Sequence, residues 1–220
     1  MEKIIHQIWV GPYKIPERET NFYKEIQNNV EKHHTDFKYM LWTDDNLPEL
    51  PDTIIQLWDI FEQTKDYAFQ ADLLRIFLIY EFGGLYLDID FKWVDQGISY
   101  LDFDKKGFFN IHGGDDYTIP NNVIGGTRHS ELMSYLLSEI KLSNSWYGPS
   151  WLGDTVHKYY NYPREMPHDI LKQKLSNDGI GYSLYSEFSR KSFTHYGLCS
   201  WFQDQKGKFK YKDSKKNASN

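Results

Sequence analysis

Short apolar runs and helical periodicities alternate along the chain. Lys3 to Val10, KIIHQIWV, is an apolar run closed by Gly11-Pro12, which predicts a buried first strand. Pro16 opens a polar segment to about His34 with Phe22, Ile26 and Val30 at spacings of four, the stripe of a helix with one buried face. FKYMLW, Phe37 to Trp42, reads as a second strand, and Pro48 and Pro51 punctuate a loop before a helix from about Asp52 to Gln63. Tyr67 to Phe82 is the clearest helix. Phe69, Leu73, Ile76, Phe77 and Tyr80 repeat on one face while Leu74 and Leu78 cover another, so it is expected to be buried on most sides. Gly83-Gly84 ends it, and LYLDIDF is expected to follow as a strand.

Beyond it the pattern predicts a strand over Gly107 to His112, a Gly- and Asp-rich loop and a short strand near Val123. Helices are expected over Ser130 to Leu142, Gly153 to Tyr160 and Asp169 to Leu175, then short strands from Gly181 to Trp201. From Asp204 the chain turns polar and Lys-rich and reads as a mobile tail. The order strand, helix, strand at the N-terminal end favours a layered α/β fold on a parallel sheet. The expected organisation is one domain over residues 1–203 and a tail over residues 204–220, since 220 residues suit a single core.

Charge and cysteine content narrow the function classes. A formal net charge of -6 argues against a nucleic-acid partner, which needs clustered Lys and Arg. The single cysteine, Cys199, cannot form an intrachain disulfide. No apolar run is long enough to span a bilayer and the start lacks a signal-peptide pattern, so a cytoplasmic protein is expected, able to touch an anionic membrane only through its Lys-rich tail.

The candidate chemistry lies at YEFGGLYLDID. If LYLDIDF is a strand, Asp88 and Asp90, two apart, project from one face, and two such carboxylates repel unless a cation intervenes. With no thiolate cluster nearby, that cation is a hard, oxygen-seeking one. An isolated Asp-x-Asp is more often a solvated strand end. Asp72 and Arg75, three apart on an otherwise apolar helix, change the balance, because buried charges are costly unless paired or used.

KIIHQIWVG, ADLLRIFLIYEFGGLYLDIDF and HYGLCSW, in that order, resemble the sugar-transferase region of glycosyltransferase family 32, whose relatives include the glucosylating clostridial toxins. The resemblance implies the A-type glycosyltransferase fold, a Rossmann-like nucleotide-sugar-binding sheet flanked by helices. It also implies Mn2+ or Mg2+ as cofactor, a nucleotide-sugar donor and transfer with retention of configuration. By this resemblance Trp9 stacks on the base, Asp72 and Arg75 contact ribose and donor sugar, Asp88 lies near both, and Asp90 binds metal with Asp88 and His195. Ser200 and Trp201 cover the diphosphate, and Asn121 or Asn122, before VIGG, contacts the donor sugar.

The reading that follows is a hexosyltransferase of polysaccharide-biosynthesis type, with a UDP-sugar favoured over GDP-mannose and a glycan, lipid-linked or protein acceptor. The absence of a recognisable anchor suggests a bacterial or viral cytoplasmic enzyme rather than a Golgi one. The acceptor groove is expected from the loops HGGDDYTIP and SWYGPSW, in the first of which Asp115 and Asp116 are able to bind acceptor hydroxyls but read more readily as a solvated turn. The rivals are a haloacid-dehalogenase-type phosphatase, whose Asp-x-Asp normally lies on the first strand, and a Ca2+-holding carbohydrate-binding module, which leaves Asp72 and Arg75 unexplained.

Overall fold

A computed structural model describes residues 1–111, 119–143, 147–161 and 168–195. The first strand, β1 (Ile4–Ile8), leads into helix α1 (Glu17–His33), strand β2 (Lys38–Trp42), helix α2 (Asp52–Thr64) and helix α3 (Tyr67–Phe82). Strands β3 (Gly84–Leu87) and β4 (Phe91–Trp93) follow, then a 3-10 turn (Gly97–Tyr100), β5 (Gly107–Ile111) and β6 (Val123–Gly126). Helices α4 (Glu131–Ser138), α5 (Pro149–Tyr159) and α6 (His168–Asn177) precede β7 (Ile180–Leu184), α7 (Tyr185–Lys191) and β8 (Phe193–His195).

Six strands form one sheet in the order β2-β1-β3-β6-β5-β7. All neighbours run parallel except β6, which is antiparallel to both β3 and β5. The sheet is therefore mixed where a parallel one was expected, and the reversal brings the start of β6 beside the ends of β3 and β5. Each face covers a separate core. One holds Ile8, Trp42, Leu74, Tyr86, Phe109, Met133 and Leu152; the other holds Ile5, Ile26, Val30, Leu85, Leu87, Phe188 and Phe193. Both clusters bury large apolar side chains almost completely, and that burial is the main favourable contribution to the fold.

Helix α3 has the bounds its periodicity predicts, and its buried residues run without a gap from Asp72 to Ile79. Gly83 and Gly84 end it at φ +67° and +93°, and a Cβ on Gly84 would stand 2.5 Å from the Ile4 carbonyl oxygen, so the crossing from α3 into β3 requires glycine. Two further expectations fail. Strand β3 stops at Leu87, and Asp88 to Asp90 form a turn closed by Phe91 N–H on the Asp88 carbonyl at 3.2 Å, so the alternation that put both aspartates on one strand face does not apply. Between β7 and β8, where strands alone were expected, α7 intervenes because Phe188 packs into the second core beside Phe91 and Phe108. The expected tail, residues 204–220, lies outside the described residues, as do Asp115 and Asp116.

His6 is fully buried and bridges three elements. Its Nδ1 accepts from Trp42 Nε1 at 3.0 Å, so Nε2 carries the proton and donates to the Gly83 carbonyl at 2.8 Å. Burial lowers its pKa to about 4, while the Gly83 bond pulls the other way. Because the unfolded chain takes up this proton near pH 6.5, the stability held by neutral His6 is complete above that value. It is lost as pH falls from 6.5 towards 4, by at most about 3 kcal/mol. Urea unfolding from pH 7 to 4 should therefore show a steeper loss for the wild type than for His6→Asn, whose side chain does not titrate.

Candidate active site

The site forms where the carboxyl ends of parallel strands β1 and β3 meet the start of antiparallel β6, a position that open α/β sheets use for ligands. At its centre is Arg75, only 6% exposed. Its Nη2 lies 3.0 Å from Asp72 Oδ1 and its Nη1 3.2 Å from Asp88 Oδ1. The same Nη1 donates to the Asn121 carbonyl at 2.6 Å, and Nε donates to Ala71 O at 3.2 Å. Asn121 Nδ2 in turn donates to Asp72 Oδ1 at 2.7 Å. One guanidinium thus joins α3, the turn after β3 and the entry to β6, and its flat multi-donor head suits that task where a lysine would not.

Tyr86 completes the cluster. Its hydroxyl donates to Asp88 Oδ1 at 2.6 Å, and its ring lies under the guanidinium at 4.6 Å. Burial raises the Tyr86 pKa well above its usual value, which keeps the hydroxyl protonated as a donor. The sequence reading missed this residue, although Tyr86 and Asp88 are two apart and the alternation of LYLD could have flagged them as sharing a face.

Asp72 carries the perturbed carboxyl. Burial pushes its pKa up to about 6; Arg75 opposes that shift, Asp88 adds to it, and the Asn121 N–H opposes it. An acid with this pKa is half ionised near pH 6, the kind of perturbation that accumulates at functional sites.

Asp90 is buried at 3% exposed, whereas the Asp88 side chain is 15% exposed. Asp88 N–H donates to the Asn122 carbonyl at 3.0 Å, so Asn122 reaches the turn through its backbone while Asn121 faces Asp72 with its side chain. Trp9, half-buried at the exit of β1, donates its indole N–H to Tyr13 O at 2.6 Å, which fixes the ring at the rim. The backbone of His195 pairs with Phe91, one residue after Asp90, so the antiparallel β4–β8 pair carries the C-terminal segment to the acidic turn. The His195 side chain, Ser200 and Trp201 lie outside the described residues.

The donor set fits a hard divalent ion. Among the described residues no three His, Cys, Asp or Glu side chains group as a metal centre, so the Asp88-Asp90 turn offers two carboxylates at most. Mg2+ and Mn2+ are commonly held in that way, by one or two carboxylates with substrate phosphates and water supplying the remaining positions.

The mixed α/β sheet flanked by helices is the A-type glycosyltransferase fold. A solved structure titled PaToxG Glycosyltransferase shares the fold, with a TM-score of 0.57 over 80% of this chain and 84% of that one at 17% identity. Residues 20–104 match the family described as the glycosyltransferase sugar-binding region containing the DXD motif. It is 24% identical over 93% of its length to inositol phosphoceramide mannosyltransferase 2 of Schizosaccharomyces pombe, covering 59% of that protein. It is 31% identical over 81% of its length to inositol phosphoceramide mannosyltransferase 1 of the same yeast, again covering 59%. It is also 32% identical over 63% of its length to the glycosyltransferase L373 of Acanthamoeba polyphaga mimivirus, covering 55%. The chain therefore spans less than two thirds of the length of these relatives. No described helix is long and apolar enough to cross a membrane.

Two outcomes follow from the cluster. Replacing Asp72 by Asn removes the cost of burying a charge, which the wild type bears above pH 6 and sheds as pH falls towards the unfolded value near 3.8. The melting temperature of Asp72→Asn relative to wild type should therefore be more favourable at pH 7.5 than at pH 5, and a difference independent of pH would contradict the assignment. Arg75→Lys keeps the charge but loses the fork, and should cost about 2–4 kcal/mol in urea unfolding, because Asp72 and Asp88 lose their shared donor in a buried site.

Proposed function

We propose that the chain transfers a hexosyl group from a nucleotide sugar to an acceptor hydroxyl in a metal-dependent reaction that retains anomeric configuration. The observation carrying this reading is the buried Asp72–Arg75–Asp88 cluster beside the Asp88-Asp90 turn, at the carboxyl ends of β1 and β3. Oxygen-rich donors hydrogen-bond to such carboxylates and to the guanidinium. Nothing in a Ca2+-holding binding module or a phosphatase requires the α3 pair.

In this reading Asp72 and Asp88 accept hydrogen bonds from ribose and sugar hydroxyls, and Arg75, held by both acids, donates to donor oxygens. Fixing the sugar in this way lowers the entropic barrier to attack by the acceptor. Trp9 offers its half-buried ring to the base. Asp90 and Asp88 would hold the divalent ion, with His195 joining them from the C-terminal segment, and Asn122, Ser200 and Trp201 would close the donor site. When bound, the ion neutralises charge on the departing diphosphate.

Asp72 and Asp88 are both held on Arg75, and no carboxylate stands out as a covalent nucleophile, which favours a front-face displacement with the leaving phosphate accepting the acceptor proton. The sequence reading favours a UDP-hexose, whereas the relatives' names point to a mannosyl donor and to a phosphoinositol sphingolipid as acceptor. GDP-mannose therefore stands beside the UDP-hexoses, and a lipid-linked acceptor at a cytoplasmic membrane face stands beside a glycan.

The test is nucleoside diphosphate release from a panel of UDP-, GDP- and dTDP-sugars with Mn2+ or Mg2+, for wild type and Asp90→Asn. Release with one donor, dependent on metal and reduced at least a hundredfold in the variant, is expected. Release of inorganic phosphate instead would give the phosphatase its case. Ca2+-dependent stabilisation without any turnover would give the binding module its own.

A further inference from the structure

The acidic turn is held from behind by a buried amide that takes no part in the chemistry described above. Gln7 has no exposed surface, and its side chain uses both ends: Nε2 donates to the Asp88 carbonyl at 3.0 Å, and Oε1 accepts from the Tyr39 hydroxyl at 2.7 Å. Tyr39 lies on β2, two strands away from β3, and burial raises its pKa, so its hydroxyl stays protonated as the donor. The direction of this relay is therefore fixed: Tyr39 donates to Gln7, and Gln7 donates to Asp88.

Its place in the sheet explains why a side chain is needed. The parallel register between β1 and β3 covers only Ile5 with Leu85 and His6 with Tyr86, and beyond it Trp9 N–H turns to the Trp42 carbonyl of β2. The backbone ladder that would hold the Asp88 carbonyl has ended. At that point the Gln7 amide substitutes for it, on the same carbonyl that Phe91 N–H uses to close the turn at 3.2 Å. Asp88 N–H is bound on its other side to the Asn122 carbonyl. The Asp88 peptide groups are thus fixed from β1 and from β6 at once, which sets the direction in which the Asp88 and Asp90 side chains leave the turn. A buried amide costs stability unless both ends are satisfied, and a Met of similar volume would fill the same space without that requirement.

We propose that Gln7, oriented by Tyr39, is a positioning residue that holds the Asp88–Asp90 turn in the geometry needed to bind a divalent ion with a nucleoside diphosphate. This role rests on the transferase reading of the site. Outer partners of metal-binding groups commonly alter affinity by 10–100-fold when removed, and the same range is expected here.

The experiment compares wild type, Gln7→Met, Tyr39→Phe and the double variant. Three quantities are measured: Mn2+ affinity by electron paramagnetic resonance with UDP or GDP present, hydrogen–deuterium exchange of the peptide spanning residues 87–93, and melting temperature. Gln7→Met is expected to fold, to bind Mn2+ about tenfold or more weakly, and to exchange the Phe91 amide faster. Tyr39→Phe should move both readouts less in the same direction, and the double variant should be no worse than Gln7→Met, since Tyr39 acts through Gln7. Wild-type exchange and Mn2+ affinity in Gln7→Met would overturn the positioning role alone. If Gln7→Met fails to fold, Tyr39→Phe with Mn2+ affinity and exchange unchanged overturns it equally. A wild type that binds neither Mn2+ nor either nucleotide overturns the transferase reading and this role with it.

Discussion

Everything at the sheet's working end depends on burying one positive charge. Arg75 is 6% exposed and makes its contacts to Asp72, Asp88, Asn121 and Ala71 in a region otherwise packed with apolar side chains. A guanidinium is tolerated there only because acids and carbonyls surround it, and the acids are tolerated only because it is there. The charge balance is uneven, with Asp72, Asp88 and Asp90 around a single arginine. The residual negative charge suits a site that takes a cation, while the raised Asp72 pKa comes first from burial, with the neighbouring Asp88 charge adding to it against the pull of Arg75.

That network is also architectural. It links helix α3, the turn after β3 and the entry of β6, which are distant in sequence but meet at one point because β6 runs against its neighbours. From the opposite face Gln7 and Tyr39 reach the same turn through β1 and β2. His6, one residue earlier on β1 and pointing to the other side, ties Trp42 to the end of α3 at Gly83. Three residues on and just after β1 thus serve different ends: His6 fixes the helix-to-strand crossing, Gln7 the acidic turn, and Trp9, beyond the strand, the rim. Side-chain alternation along a strand makes this division available, because adjacent residues face opposite layers.

The likeness to the yeast mannosyltransferases and to a viral glycosyltransferase covers most of this chain, and a solved glycosyltransferase shares the fold at low sequence identity.

The sequence by itself determined the elements whose periodicity is strong. Helix α3 is recovered to the residue because an almost all-apolar segment bounded by Gly83-Gly84 has no competing conformation, and Asp72, Arg75, Asp88 and Asp90 stand out as charges in apolar surroundings. Local pattern failed where a distant contact decides. LYLDIDF alternates like a strand, yet the chain turns at Asp88 because the Asn122 carbonyl, the Gln7 amide and the Phe91 N–H capture its peptide groups. The Tyr185–Lys191 stretch becomes a helix because Phe188 finds the second core. The reversal of β6 and the choice of Asn121 over Asn122 to face Asp72 arise likewise from residues tens of positions apart. Hydrophobic periodicity reports which face of an element is buried; which polar groups meet across the sheet is set only when the strands are ordered.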